Sequence, residues 1–259
     1  MTPSSALAPP SPTVVDADHQ GPPGCGNGGW VCGLLADRLE ALAPGSGELP
    51  ATEVRLVAPT PVGRPLRWEV EGRAGDRDVA VRLLDAHTVL GVARPAPSPS
   101  LDVPDPVSLD EARTAADGYD LTGHPYPGCY VCGPDASAGL HVYAGAVAGR
   151  KGVHAAPVTL PDAELPTVFA ALDCPGAFAV GFGVDALLLG TFVAEVRSPV
   201  PVGRELVVMS WDEGREGRRR HCGTALLDGD RVLASAAATW VDVGRRRIPG
   251  TAPAAGDAR

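Results

Sequence analysis

The sequence predicts an α+β protein built from two tandem units, each a central helix wrapped by an antiparallel sheet. Two observations carry that expectation. The first is an internal repeat: PTPVGRPL at Pro59–Leu66 returns as PVPVGREL at Pro199–Leu206, 140 residues later. LLD at Leu83–Asp85 and VL at Val89–Leu90 return at Leu226–Asp228 and Val232–Leu233, 143 residues later, so the second copy carries a hairpin longer by three residues, near Gly214–Arg220. Upstream, LLAD at Leu34–Asp37 aligns with AALD at Ala170–Asp173. The second observation is that each copy keeps one order, a helix and then four strands separated by turns. Aligned blocks in constant order are the signature of a duplicated unit.

Taken in order, residues 1–23 are rich in Pro, Ser and Ala and are expected to form a disordered tail, with one short strand at Thr13–Ala17. Within Gly24–Leu42, Trp30, Leu34, Leu35, Leu39 and Leu42 fall on one helical face. Asn27, Gly28 and Gly29 stand where that helix begins. Small residues there either cap the helix in the ordinary way or leave its first N–H groups open to an outside oxygen. Strands are predicted over Ala51–Pro59, Pro65–Val70, Asp78–Asp85 and Val89–Ala93, closing a first unit at 24–95. Residues 96–127 read as a linker holding one short helix, which opens on a capping box (Ser108 with Glu111) and stops at Gly118. The second unit, 128–243, is expected to run through strands near Leu140–Val147 and Val153–Leu160, then a helix. Strands over Leu187–Arg197, Glu205–Trp211, His221–Asp228 and Val232–Val241 complete it, and a frayed tail follows at 244–259.

The second helix opens the most informative stretch, Leu165–Val184, LPTVFAALDCPGAFAVGFGV, whose one charged residue is Asp173. A carboxylate among apolar neighbours loses solvation, so it is either satisfied by backbone donors as a structural acid or kept for chemistry. Pro175, two residues on, is expected to end or kink the helix. Asp37 is the repeat partner of Asp173; beside Arg38, a solvated or ion-paired role suits it better.

Composition excludes several classes. The net charge of −9 argues against nucleic acid or anionic membrane as partner. The basic triplets Arg218–Arg220 and Arg245–Arg247 are expected at a hairpin tip and in the tail. No signal peptide and no bilayer-spanning apolar run is seen, which predicts a cytoplasmic chain whose six cysteines are thiols. Cys129 and Cys132 form a Cys-x-x-Cys turn without a second pair at zinc-finger spacing. A zinc held jointly with Cys25 and Cys32 would require the halves to meet; cysteines acting as small hydrophobes is the simpler reading. A redox role would require a strand–motif–helix context that is absent. His124, His141 and His154 lie near the opening of the second unit with no spacing that marks a base or ligand. No Gly-x-Ser-x-Gly elbow, phosphate loop or dinucleotide fingerprint occurs.

With the repeat in hand, the chain resembles the double hotdog proteins of the thioesterase-like superfamily. NGGWVCGLLAD (Asn27–Asp37) resembles that group's His-Gly-Gly…Ala-Asp helix start. CYVCGPDASAGLHV (Cys129–Val142) resembles its Cys-x-x-Cys-Gly…Gly-Leu segment. The resemblance implies an intramolecular pseudo-dimer and hydrolysis of an acyl thioester of coenzyme A or a carrier protein. In such a site the amides of Asn27, Gly28 and Gly29 would hold the carbonyl, with Asp173 from the other unit as general base or nucleophile. A second site would use Asp37 with the helix start near Pro166–Thr167, where a proline replaces an N–H donor, so one working site is expected. Asn27 stands where the group has His and cannot move protons at neutral pH. No cofactor or metal is implied, and a homodimer of double hotdogs is admitted. Alternatives are a silent acyl- or aromatic-ligand binder, or a hotdog hydratase or dehydratase; the hydratase Asp-x-Asn-x-x-His pattern is absent.

Overall fold

The computed structural model describes residues 11–42, 50–122, 124–183 and 187–244. Helix α1 (Gly28–Glu40) is followed by strands β1 (Ala51–Leu56), β2 (Arg67–Glu71), β3 (Ala80–Asp85) and β4 (Thr88–Ala96). Helix α2 (Leu109–Asp117) and strands β5 (Gly145–Ala146) and β6 (Val153–Thr159) precede α3 (Leu165–Ala179). Strands β7 (Leu187–Val196), β8 (Glu205–Glu216), β9 (Arg219–Asp228) and β10 (Arg231–Asp242) complete the chain.

All ten strands join one antiparallel sheet in the order β2-β3-β4-β1-β7-β10-β9-β8-β6-β5. Read outward from the β1–β7 seam, the halves are mirror-ordered: β1, β4, β3, β2 on one side and β7, β10, β9, β8 on the other. The duplication therefore closes on itself through β1 and β7, where Val54 faces Phe192. α1 packs on the first half and α3 on the second, and the two helices pack on each other, so the sheet wraps both. The apolar faces of both helices and the inner sheet face share one core.

The repeat extends to hydrogen bonds. Leu90 and Leu233 sit at register shifts in β4 and β10, and each carbonyl accepts two N–H groups, from Val57 and Ala58 in one half and from Arg197 and Ser198 in the other. The PVGR arginines reach the LLD aspartates in both halves, Arg64 to Asp85 and Arg204 to Asp228. That pairing explains why the two sequence blocks recur together: they clip the ends of neighbouring strands.

The tail expected over 1–23 is corrected for residues 11–23. Thr13 bridges Leu66 as Val158 pairs with Leu206, making this segment the counterpart of β6, and Val15 is fully buried. The predicted strand at Thr13–Ala17 contracts to that bridge, followed by a 3-10 turn at Ala17–His19. The linker helix is also no loose connection. Ala112 and Ala115 of α2, with Val107, pack against Val207, Met209 and Leu227 on the outer face of the second half. Strand β8 is thus covered on both faces, which is why LVVMSW reads as a continuous run instead of alternating. The capping box at Ser108–Glu111 is formed in both directions.

Two further expectations change. The strand near Leu140–Val147 is only two residues long, because His141 takes a left-handed φ of 52° and Leu140 and Val142 bond back to Tyr130 and Val131. Pro175 does not end α3, which continues to Ala179. The buried Ser210 hydroxyl donates to the Pro175 carbonyl at 2.7 Å, tying α3 to β8. Arg218 and Arg219 are at the β8–β9 tip as expected, whereas Arg220 turns inward toward Asp242. Arg245–Arg247 lie outside the described residues.

Candidate active site

The site forms where α1 begins. Asn27 is its N-cap: Oδ1 accepts from the Trp30 amide at 2.9 Å and its carbonyl accepts from Val31 at 3.0 Å. That use of Oδ1 turns the Nδ2 group toward α3, where it donates to Asp173 Oδ2 at 3.0 Å. The Gly29 amide donates to the same oxygen at 2.8 Å. The start of one helix thus grips the acid of the other, with Asn27 capping its own helix and clamping its partner in one side chain. Among the described residues the Gly28 amide, the first of α1, makes no hydrogen bond.

Close approach of the helices makes this geometry reachable. A Cβ on Gly29 would lie 2.5 Å from both Asp173 Cβ and the Phe169 carbonyl oxygen; one on Gly33 would lie 2.3 Å from Pro166 Cα. Two glycines one turn apart let α1 press directly on the backbone of α3.

Asp173 is 1% exposed. Burial pushes its carboxyl up to about 7; the Gly29 hydrogen bond opposes that rise, the Cys129 sulfur adds to it and the Asn27 hydrogen bond opposes it. Oδ2 takes both donors, while Oδ1 is buried without a partner. Asp173 is among the residues lining a cavity of ≈ 280 Å³. Gly28, Asn27 and Asp173 form its polar end, and Val31, Leu56, Leu187–Leu189, Phe182 and Trp240 are among its apolar walls. No lysine or arginine is among the described lining residues.

Three thiols stand beside the acid. Cys129, Cys132 and Cys174 place their sulfurs within 4.8 Å of one another, and Asn27 Nδ2 lies 3.8 Å from Cys129 Sγ and 3.7 Å from Cys174 Sγ. The neighbouring Cys132 and Cys174 thiols foremost hold the Cys129 thiol well below the usual range. Burial foremost pushes Cys132 up, and its bond to Cys129 foremost pushes Cys174 up.

The structure brings together four of the residues singled out in the sequence, Asn27, Gly28, Gly29 and Asp173. Asp37 is not with them. It is exposed on α1, and its carboxylate has no hydrogen bond or ion pair to a described residue. The start of α3 offers no equivalent grip, because Glu164 makes no side-chain cap and Pro166 carries no N–H. The pairing of Cys129 and Cys132 with Cys25 and Cys32 is replaced by one with Cys174, which sequence reasoning passed over although it follows Asp173 directly. Tyr126, Trp240 and the Leu187–Leu189 wall were also missed; they come from three separated segments, and no local pattern joins them.

No family model matches the chain, and no curated protein matches it. Solved structures do. A hot dog fold protein of unknown function from Alicyclobacillus acidocaldarius aligns with TM-score 0.62 and 15% identity, over 89% of this chain and 91% of the other. The acyl-CoA thioesterase II TesB2 of Mycobacterium marinum aligns with TM-score 0.54 and 10% identity, over 83% and 90%. The dehydratase domain of PpsC from Mycobacterium tuberculosis, in complex with C12:1-CoA, aligns with TM-score 0.54 and 14% identity, over 84% of each chain. At these identities the likeness establishes the fold: this chain is a double hotdog.

Proposed function

We propose that this double hotdog chain hydrolyses an acyl thioester of coenzyme A or a carrier protein at the α1–α3 site, with Asp173 as general base. The observation that carries the reading is the buried Asp173 carboxylate, gripped through Oδ2 by Asn27 and Gly29 and lining, with Gly28, a largely apolar cavity. The acyl group occupies the apolar cavity and its carbonyl oxygen takes the Gly28 N–H, where the helix dipole favours developing negative charge. The Asp173 carboxylate accepts a proton from water as the water oxygen bonds to the carbonyl carbon. Collapse of the tetrahedral intermediate breaks the C–S bond, and the leaving thiolate takes up the proton. Asn27 and Gly29 are positioning residues, since their donors are engaged with Oδ2.

The acyl-CoA chemistry named for TesB2 and the CoA ligand named for the PpsC domain support a thioester as substrate on this fold. The cavity volume of ≈ 280 Å³ lies just below the range of small-molecule sites, about 300–1,000 Å³, so it suits the acyl group and not the whole coenzyme. The test is hydrolysis of short, long and aromatic acyl-CoAs by wild type, Asp173→Asn and Asp37→Asn. Turnover lost only in Asp173→Asn supports the reading. A protein that binds an acyl-CoA without cleaving it is the silent binder instead, and one that dehydrates a hydroxyacyl-CoA is the dehydratase.

A further inference from the structure

The thiol cluster is not used by the mechanism above, and its arrangement suits another task. Cys129 and Cys132 come from one tight turn, and Cys174 comes from α3, 45 residues from Cys129 in sequence. The turn is built to aim both of its sulfurs one way. Gly133 donates its amide to the Cys129 carbonyl at 2.7 Å. A Cβ there would lie 2.3 Å from the Cys129 nitrogen and 2.4 Å from the Pro127 oxygen, so only glycine lets the turn close.

From this convergence we propose that Cys129, Cys132 and Cys174 form a three-thiolate site for a thiophilic divalent ion of the zinc class. Cys129 Sγ and Cys174 Sγ are 3.8 Å apart. Tetrahedral zinc with Zn–S of about 2.3 Å sets its sulfurs about 3.8 Å apart, whereas a disulfide requires about 2.05 Å. All three residues are buried, the surroundings carry the Asp173 carboxylate, and the cavity wall brings no lysine or arginine to repel a cation. Cys129 and Cys174 line the cavity while Cys132 does not. The fourth coordination position therefore faces the cavity, where water or a ligand sulfur completes the shell. Closed structural sites use four protein ligands; three with an open position is the pattern of sites that bind water or a substrate on the metal. The sequence offers only a lone Cys-x-x-Cys here, because the third sulfur arrives through packing of α3 against the Cys129–Cys132 turn.

The experiment reads metal and not turnover, so it stands or falls apart from the thioester reading. Reduced, chelator-stripped full-length protein is titrated with cobalt(II). The expected result is a thiolate-to-cobalt charge-transfer band that saturates at one ion per chain, has the intensity of three sulfur ligands, and is bleached by zinc. Cys174→Ser and Cys132→Ser each lower that intensity and weaken binding by about tenfold or more, the scale reported for losing support at a metal site. Cys222→Ala, a buried cysteine outside the cluster, leaves it unchanged. If Cys174→Ser fails to fold, the wild-type intensity and Cys132→Ser still decide. A wild type that develops no band overturns the proposal, as does a band that survives intact in a folded Cys174→Ser or Cys132→Ser protein.

Discussion

Replacing Gly33 with alanine forces apart the two helices on which the candidate site depends. The new Cβ would lie 2.3 Å from Pro166 Cα, 2.5 Å from the Leu165 oxygen and 2.6 Å from the Pro166 nitrogen, where ordinary contact begins at 3.4 Å. All three neighbours are backbone, and Pro166 is held in the first turn of α3, so no side chain can swing away. The helices must part by about 1 Å at this point. Alanine gains about 1 kcal/mol of helix propensity over glycine, and overpacking of this kind costs about 1–3 kcal/mol, with contact to rigid backbone at the upper end. The expected net loss is about 2 kcal/mol, read as a lower urea midpoint at unchanged slope. The same movement draws the Gly29 amide away from Asp173 Oδ2, now at 2.8 Å, beyond hydrogen-bond reach. A misplacement of about 1 Å lowers turnover by about a hundredfold although Gly33 is not among the cavity-lining residues. Gly118→Ala is the control, because its Cβ would lie 3.4 Å from the nearest atom, and it should stay within about 0.5 kcal/mol of wild type. A Gly33→Ala protein as stable and as active as wild type would refute the claim that direct helix contact holds Asp173 in place.

Asp173→Asn should lower thioester turnover by about 10²–10⁴-fold in steady-state assays, the range for losing a general base, while circular dichroism shows the fold retained. Asp37→Asn, at an exposed position, should leave turnover within about twofold of wild type in the same assays. Ser210→Ala removes the hydroxyl that meets the Pro175 carbonyl and should cost about 1 kcal/mol in urea unfolding. The repeated ion pairs Arg64–Asp85 and Arg204–Asp228 should each show a coupling of at most about 1 kcal/mol in a double-mutant cycle, smaller in high salt. Solvent screening sets that bound, since the two arginine side chains are 56% and 61% exposed.

The sequence alone determined the duplication, the fold class and most of the elements. Repeated blocks and alternating apolar positions are local or translational patterns, and they survive in a one-dimensional string. The capping box at Ser108 and the Asn27 cap were legible for the same reason: each satisfies orphan amides within a single turn. The misreadings came where a distant segment overrides a local preference. α3 runs on through Pro175 because the helix is buried against β8 and β9, which outweighs the one ladder bond the proline lacks. β8 looked simply apolar because α2, an expected linker helix, covers its outer face.

Asp173 was marked in the sequence by its isolation in an apolar stretch. Its position against Gly29 and Asn27, and the absence of such a grip around Asp37, were decided by tertiary structure. Two helices that align by repeat meet through Gly29 and Gly33 on α1 and through residues with side chains on α3, so sequence symmetry does not become chemical symmetry. Cys174 joining Cys129 and Cys132 is of the same kind. The spacing of a motif can be read along the chain, but a partner brought by helix packing is fixed only when the hydrophobic core closes and sets which buried polar groups must satisfy one another.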